Sequence, residues 1–510
     1  MSRVAYASRN IMFGYLGSIV TLTASFISRS VFIYTLGVTY LGVNGLFTSV
    51  LSVLSLAELG VGTAMNFSLY KPVALGDIET IKALMKLYRR AYKAIALIIA
   101  LLGLSAVPFL KFIIKEPGSI TMNELTIYYL VFLFNTVSTY FVAYKYSLSN
   151  AEQKNYIQTN IHAVTRIVSL GVQIVVLLMF KSFLVYLLTG AAIELLQKIY
   201  VSLFFNRMYP YLLDNNVKEL TKDQKKPIIT NIKALMIHKI GSISVHQTDN
   251  IIISSFINVA TVGLLSNYNL IITGITGFIN IIFNSVISGF GNLVATESKE
   301  RQYYLFKVYR FLGFWLYGFT SIAFLILITP FIQLWIGKEM ILPNIVIFLI
   351  IANYYFMGHR IVINNFKTAA GIFDSDKYIS LVQAAVNLVV SILLVQKIGL
   401  PGIFIGTVVQ GLISTFTRPF IVFRQAFGRN GIEYYIDSLK YLFPIVIATV
   451  LLNFLKNIIW VQNSILEFIV LFVLVMIIPN ALFLISFGRS SEFNYLKNIV
   501  LAKIRKGKKS

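Results

Sequence analysis

The chain has 510 residues, of which 57% are hydrophobic and only 13% charged, with mean hydropathy +0.77; a soluble domain carries about 25% charged residues. It has no cysteine and a formal net charge of +24. This excludes an ordinary soluble enzyme, a disulfide framework, a thiolate metal centre and a cysteine nucleophile.

The composition is that of an all-α polytopic membrane protein. In such a chain lysine and arginine collect in cytoplasmic loops, so the basic balance does not imply a nucleic-acid partner. The first apolar segment is long and a second follows at once, so it is expected as a retained span and not a cleaved signal. Fourteen spans of about 20 residues are expected, as a hydrocarbon layer of ~30 Å requires. They fall near 11–36, 41–70, 94–114, 125–148, 157–180, 184–206, 232–257, 261–290, 310–334, 343–365, 378–396, 402–423, 441–459 and 465–487.

Charge supports this count. With the N terminus inside and the spans alternating, inside loops hold 32 of the 44 Lys and Arg residues and outside loops hold 6. Both termini are therefore expected in the cytoplasm. The outside loops are short, and no phosphate-binding G-x-x-x-x-G-K-[ST] loop occurs. Any transport would draw on an ion gradient, the membrane potential or the cargo gradient.

The chain repeats itself at an offset of 221–222. "VPFLKFIIKE" (107–116) resembles "TPFIQLWIGKE" (329–339), and Tyr156 matches Tyr378. Gly42 in "YLGVNGLFTSV" matches Gly263 in "TVGLLSNYNLI". Six spans per repeat give both halves one orientation. The expected organisation is an N-terminal six-helix lobe (1–206), a cytoplasmic linker (207–231) and a C-terminal six-helix lobe (232–424). Two additional spans (425–488) and a basic cytoplasmic tail (489–510) follow. The tail, "KIRKGKKS", reads as an anchor to anionic membrane lipids.

Span 7 carries the most polar face. Lys239, Ser242, His246 and Asp249 are spaced 3, 4 and 3, which is one stripe of a helix. A charge at the bilayer centre costs roughly 2.5–3.5 kcal/mol, so such a face should turn to a bundle interior or an aqueous cavity. The repeat carries the stripe onto Ser18, Thr21, Ser25 and Ser28 of span 1, next to Arg29. Helix-packing glue is the competing reading of both faces. Glu58 sits in span 2 as a proton carrier or a partner of Arg29. Arg166 sits in span 5 as a cavity cation or a partner of Glu152 or Glu58. His359 and Arg360, late in span 10, suit an interfacial role as well as a binding one. Arg418 and Lys198 read as interfacial snorkellers.

Arg29, Arg166 and Lys239 outnumber Glu58 and Asp249. Arginine grips phosphate bidentately, so the balance favours an anionic, phosphate-bearing cargo.

"AELGVGTAMNFSLYKPVALGD" (57–77), followed by "MKLYRRAYK" (85–93), resembles the second and third spans of bacterial Wzx-type polysaccharide flippases. So do "NYYFMGHRIVINNFKTAAGIFDSDKY" (353–378) and "KIGLPGIFIGTVVQG" (397–411). That family belongs to the multidrug/oligosaccharidyl-lipid/polysaccharide (MOP) superfamily. The resemblance implies two six-helix lobes around a central cavity plus two extra helices. It implies movement of undecaprenyl-diphosphate-linked oligosaccharide repeat units to the outer leaflet, for capsule, O-antigen or exopolysaccharide, beside polysaccharide polymerase and assembly proteins. No cofactor is implied. By position, Arg29, Arg166 and Lys239, with Ser25 and Ser242, would line the cargo cavity. His246, Asp249 and Glu58 would serve a coupling ion, H+ or Na+; Asp249 is less expected in a cationic cavity. A MATE-like small-molecule or cation antiporter is the alternative. A membrane enzyme such as a glycan polymerase would need a sizeable outer loop and a catalytic constellation, and neither is present in the sequence.

Overall fold

The structure is a computed structural model and describes residues 3–58, 60–214, 217–372, 375, 378–459 and 463–507. The side chains of 3–16, 18, 57, 223, 227, 231, 233–246, 284–292, 295, 500 and 502–507 lie outside that description. Among the described residues there are helices and turns and no strand.

The helices run α1 (Arg3–Leu36), α2 (Val38–Leu54), α3 (Val61–Leu75), α4 (Ile78–Ala106), α5 (Leu110–Ile113), α6 (Met122–Ala151), α7 (Asn155–Phe180) and α8 (Phe183–Met208). Then come α9 (Lys222–Phe256), α10 (Val259–Thr296), α11 (Lys299–Ile336), α12 (Asn344–Ala369), α13 (Ile379–Ile398), α14 (Leu400–Val422), α15 (Ile432–Ile458), α16 (Ser464–Phe487) and α17 (Ser491–Gly507).

Twelve helices among the described residues are long and apolar enough to cross a membrane. They coincide with twelve of the fourteen expected spans. Of the other two, span 7 falls within the long α9. Span 2, expected as one helix over 41–70, is broken. α2 ends at Leu54, a 3-10 turn runs from Ser55 to Glu58, and Gly60 takes a left-handed φ of 77° before α3 starts. Only glycine adopts that backbone without strain, so it ends one helix and starts the next.

Contacts divide the chain into two compact units, Leu16–Asn267 and Met1–Tyr15 with Tyr268–Ser510. In the first, α4 packs on α6, α6 on α8, α7 on α8, and α2 and α3 on α9. The start of α10 crosses α2 at backbone distance. A Cβ on Gly42 would lie 1.9 Å from the Val259 carbonyl oxygen, and one on Gly263 would lie 2.2 Å from that of Val38. At the repeat offset of 221, Val38 and Gly42 are the equivalents of Val259 and Gly263. The contact is therefore reciprocal, as two-fold-related copies of one element make it.

In the second unit α11 packs on α12, α15 and α16, and α13 packs on α14. Phe311 and Phe314 meet Tyr441 of α15 and Phe483 of α16, with Phe314 stacked on Tyr441 at 4.4 Å between ring centroids. The two spans beyond the repeat are thus fastened to α11. Arg310, at the inside end of the expected span 310–334, is buried in α11 and only 2% exposed. Its Nη1 lies 3.5 Å from Asp437, its Nη2 donates to the Tyr434 carbonyl and to Ser438 Oγ at 2.7 Å, and its guanidinium lies 3.8 Å from the centre of the Tyr434 ring. Large apolar side chains on α4, α7, α15 and α16 remain exposed, Phe443 and Ile485 among them. On a soluble protein such surface would aggregate; around a membrane bundle it meets lipid.

Candidate functional site

The first unit holds a polar cavity of about 770 Å³ between α1, α3, α4, α6, α7 and α8, with Thr21 of the span 1 stripe on its wall. Glu58 reaches it because the helix break turns the chain there. Tyr92 of α4 donates to Glu58 Oε1 at 3.2 Å. Gly62 leaves room for the pair: a Cβ there would lie 2.8 Å from the Tyr92 oxygen. Arg166, His162, Glu194 and Lys198 line the same space. So do Asn66 and Asn150, whose buried amide oxygens have no hydrogen-bond partner among the described residues. A buried unsatisfied acceptor is costly. Both oxygens are acceptors left open on the wall of a cavity that Glu58 also lines.

Lys198 is not a snorkeller. It is 6% exposed, and its ammonium donates to Asn135 O (2.9 Å), Asn135 Oδ1 (2.7 Å) and Ser138 Oγ (2.8 Å), with Glu194 at 3.6 Å. Its charge is committed to holding α8 against α6.

Glu58 and Arg166, two of the residues picked out by sequence, share this cavity. Glu152 is occupied elsewhere, with Lys154 at 2.7 Å and the Tyr209 hydroxyl at 2.8 Å. Arg29 and Ser25 are not among the described lining residues. Arg29 Nη1 donates to Ser266 Oγ at 2.6 Å and Asn267 Oδ1 at 3.3 Å on α10. These neutral oxygens hold the guanidinium without cancelling its charge. The Ser25 hydroxyl bonds back to Thr21 O at 2.8 Å. Asp249 is half-buried, and its neighbour Asn250 donates to Ser49 Oγ of α2 at 2.9 Å. The side chains of Lys239, Ser242 and His246 lie outside the described residues.

Sequence reasoning passed over His162, Asn66 and Asn150. The signal for His162 was present: Gln158, His162 and Arg166 recur every four residues, one face of α7, and all three line the cavity. No local pattern marks Asn66 and Asn150, which line one cavity only through the packing of α3 with α6.

The second unit holds a cavity of opposite character. It has a volume of about 820 Å³ and an almost wholly apolar wall from α11, α12, α14 and α15, including Phe348, Phe356, Leu442 and Val446. His359 lies at its edge, buried, with its ring 4.6 Å from that of Tyr355 and its carbonyl accepting from the Tyr434 hydroxyl at 2.9 Å. Arg360 donates to Gly411 O at 2.5 Å and Ser414 Oγ at 3.2 Å, and Arg418 donates to Asn364 Oδ1 at 2.9 Å. Both arginines tie α12 to α14 from within the helix bundle.

No protein-family profile matches the sequence, and no curated protein does. Solved structures share the fold. The lipid II flippase MurJ, in an inward closed conformation, superposes with a TM-score of 0.66 at 13% identity over 93% of this chain and 98% of that one. An inward-facing multidrug resistance MATE family transporter of the MOP superfamily gives 0.60 at 14% identity, over 78% of this chain and 92% of its own. The Vibrio cholerae MATE transporter VcmN gives 0.56 at 15% identity, over 84% and 99%. At these identities the likeness is one of fold alone.

Proposed function

We propose that this chain is a flippase of a bacterial cytoplasmic membrane, with both termini cytoplasmic. It would carry undecaprenyl-diphosphate-linked oligosaccharide repeat units from the inner to the outer leaflet for surface polysaccharide synthesis. The observation that carries the reading is the polar cavity of the first unit, with Arg166 and His162 on its wall. A glycosyl diphosphate head needs cationic, hydrogen-bonding surface of this kind. Arg29, whose guanidinium is held by neutral oxygens, Arg166, and Lys239 with Ser25 and Ser242 would meet the diphosphate or acidic sugars. The fold likeness to MurJ supports a lipid-borne cargo.

Energy would come from H+ or Na+. Glu58, on the wall of the polar cavity, is the favoured ion site, and His246 and Asp249 are further candidates. Ion occupancy would bias inward against outward states by its differential affinity for them. The lobes 1–206 and 232–424 would supply the two halves of the alternating machine, with 207–231 joining them.

The MATE likenesses and the acid-bearing cavity favour a second reading, a small-molecule or cation antiporter. Those likenesses leave more of this chain unmatched than the MurJ one does. One experiment separates the two. A strain lacking the gene accumulates lipid-linked repeat units and loses surface glycan if the flippase reading holds. Unchanged lipid intermediates with altered drug or cation susceptibility would establish the antiporter instead.

A further inference from the structure

The first unit has another pocket, of about 340 Å³, built by α4, α6, α8 and the segment after α8. Lys82, Lys86, Arg89 and Lys93 follow one another along α4 at intervals of four, three and four, which sets them on one helix face. All four line the pocket, and Lys145 of α6 joins them. Asp214 is the acidic side chain among the described lining residues. It bridges Lys82 at 3.1 Å, and Glu79 also lies 3.1 Å from that ammonium. Lys145 is buried and donates to Ser202 O, Ser202 Oγ and Asn206 Oδ1 at 3.1, 2.9 and 2.7 Å. Its charge is hydrogen-bonded by neutral oxygens, and no carboxylate among the described residues pairs with it.

Like charges three and four residues apart on a helix repel. Membrane topology asks for a number of cations on one side of the bilayer, not for a row of them facing one pocket. The neighbouring Arg90 shows the difference: it points away, pairs with Glu219 at 3.1 Å and does not line the pocket. A guanidinium fork flanked by ammonium groups in a partly enclosed space matches the oxygens of phosphate.

We infer that this pocket binds a phosphate-bearing anion, either a soluble diphosphate or the phosphodiester headgroup of an anionic lipid, on Lys86, Arg89 and Lys93. The inference does not depend on what the chain transports.

The test uses the purified full-length protein in two arms. In detergent, inorganic diphosphate is titrated calorimetrically. In phosphatidylcholine nanodiscs doped with phosphatidylglycerol, the phosphatidylglycerol retained after detergent extraction is counted by native mass spectrometry. The variant Arg89→Gln/Lys93→Gln should lose about tenfold or more in at least one arm, while Arg90→Gln stays within about twofold of the parent. Binding in the diphosphate arm alone identifies a soluble anion; retention in the lipid arm alone identifies a headgroup. Absence of binding in both arms overturns the proposal. So does an Arg90→Gln loss as large as that of the double variant, because the effect would then be general charge. If the double variant fails to elute as folded protein, Lys86→Gln is read against Arg90→Gln by the same criteria.

Discussion

Arg310 shows what a buried charge does in this fold. It spends its donors on the backbone and side chains of α15 and lays its guanidinium on Tyr434. Removing one partner of such a buried pair typically costs about 3–5 kcal/mol. Arg310→Ala is expected near the lower figure, because Asp437 keeps some solvent; thermal unfolding of the detergent-solubilised protein checks this. Asp437→Asn should cost clearly less. Glu58 is expected to behave in the opposite way. Glu58→Gln should leave the unfolding midpoint within a few degrees of the parent and lower ion-driven transport by about tenfold or more, as loss of a coupling carboxylate would. An ion-gradient assay in proteoliposomes measures it, and unchanged coupling would remove Glu58 from the mechanism. Glu58 and Arg166 were legible as charges inside apolar runs. Arg310 was not, because "KERQYYLFKVYR" reads as a basic loop until α11 is seen to extend through it.

The element that carries most information is the crossing of α2 and α10. Gly42 and Gly263 allow backbone contact, and any side chain there must push the helices apart. Gly42→Val or Gly263→Val is expected to destabilise by about 3 kcal/mol, the upper end of the usual overpacking cost, or to prevent folding. Gly171→Ala on α7, with nothing within 4 Å of the added carbon, should be nearly neutral. Yields and unfolding midpoints of the variants compare directly. The equivalence of the two glycines was readable from the repeat offset; their contact was not, since a sequence repeat fixes correspondence and not packing. The break in span 2 was only half readable. "AELGVG" offers two glycines, but an apolar run reads as one helix until φ at Gly60 is known. At the start of α4, Asp77 caps the helix through Thr80 N (3.0 Å) and Thr80 Oγ1 (2.6 Å). These bonds hold its carboxyl below the usual aspartate range. The cap therefore contributes above the ordinary carboxylate pKa and is lost as pH falls through the lowered value. Asp77→Ala should lower the unfolding midpoint at neutral pH and have no effect at acidic pH, where the parent has already lost the cap.

At the scale of the molecule, the fold class was legible because hydropathy and the positive-inside bias are strong signals in a bilayer. Twelve of fourteen spans coincide with long apolar helices. The cavities were less so. The seam on span 7 pointed to polarity inside a membrane helix, but the described polar cavity is assembled from α1, α3, α4, α6, α7 and α8, with Thr21 of the matching stripe on its wall. Its lining residues lie far apart in sequence, and only their charges and one four-residue spacing were visible beforehand. The apolar groove could not be read at all, since an apolar wall and an apolar lipid-facing surface use the same residues. The polar cavity, with Arg166 on its wall, is the feature on which the proposed phosphate-bearing cargo rests.

The most direct test is made in a strain lacking this gene, complemented with the parent chain or with Arg29→Ala/Arg166→Ala. Undecaprenyl-diphosphate-linked oligosaccharide is extracted and quantified by mass, alongside surface glycan. The account expects lipid-linked repeat units to accumulate without the gene, to clear with the parent and to remain with the double variant, although that variant is present in the membrane at parent level. Normal lipid intermediates and intact surface glycan in the deletion strain would contradict it.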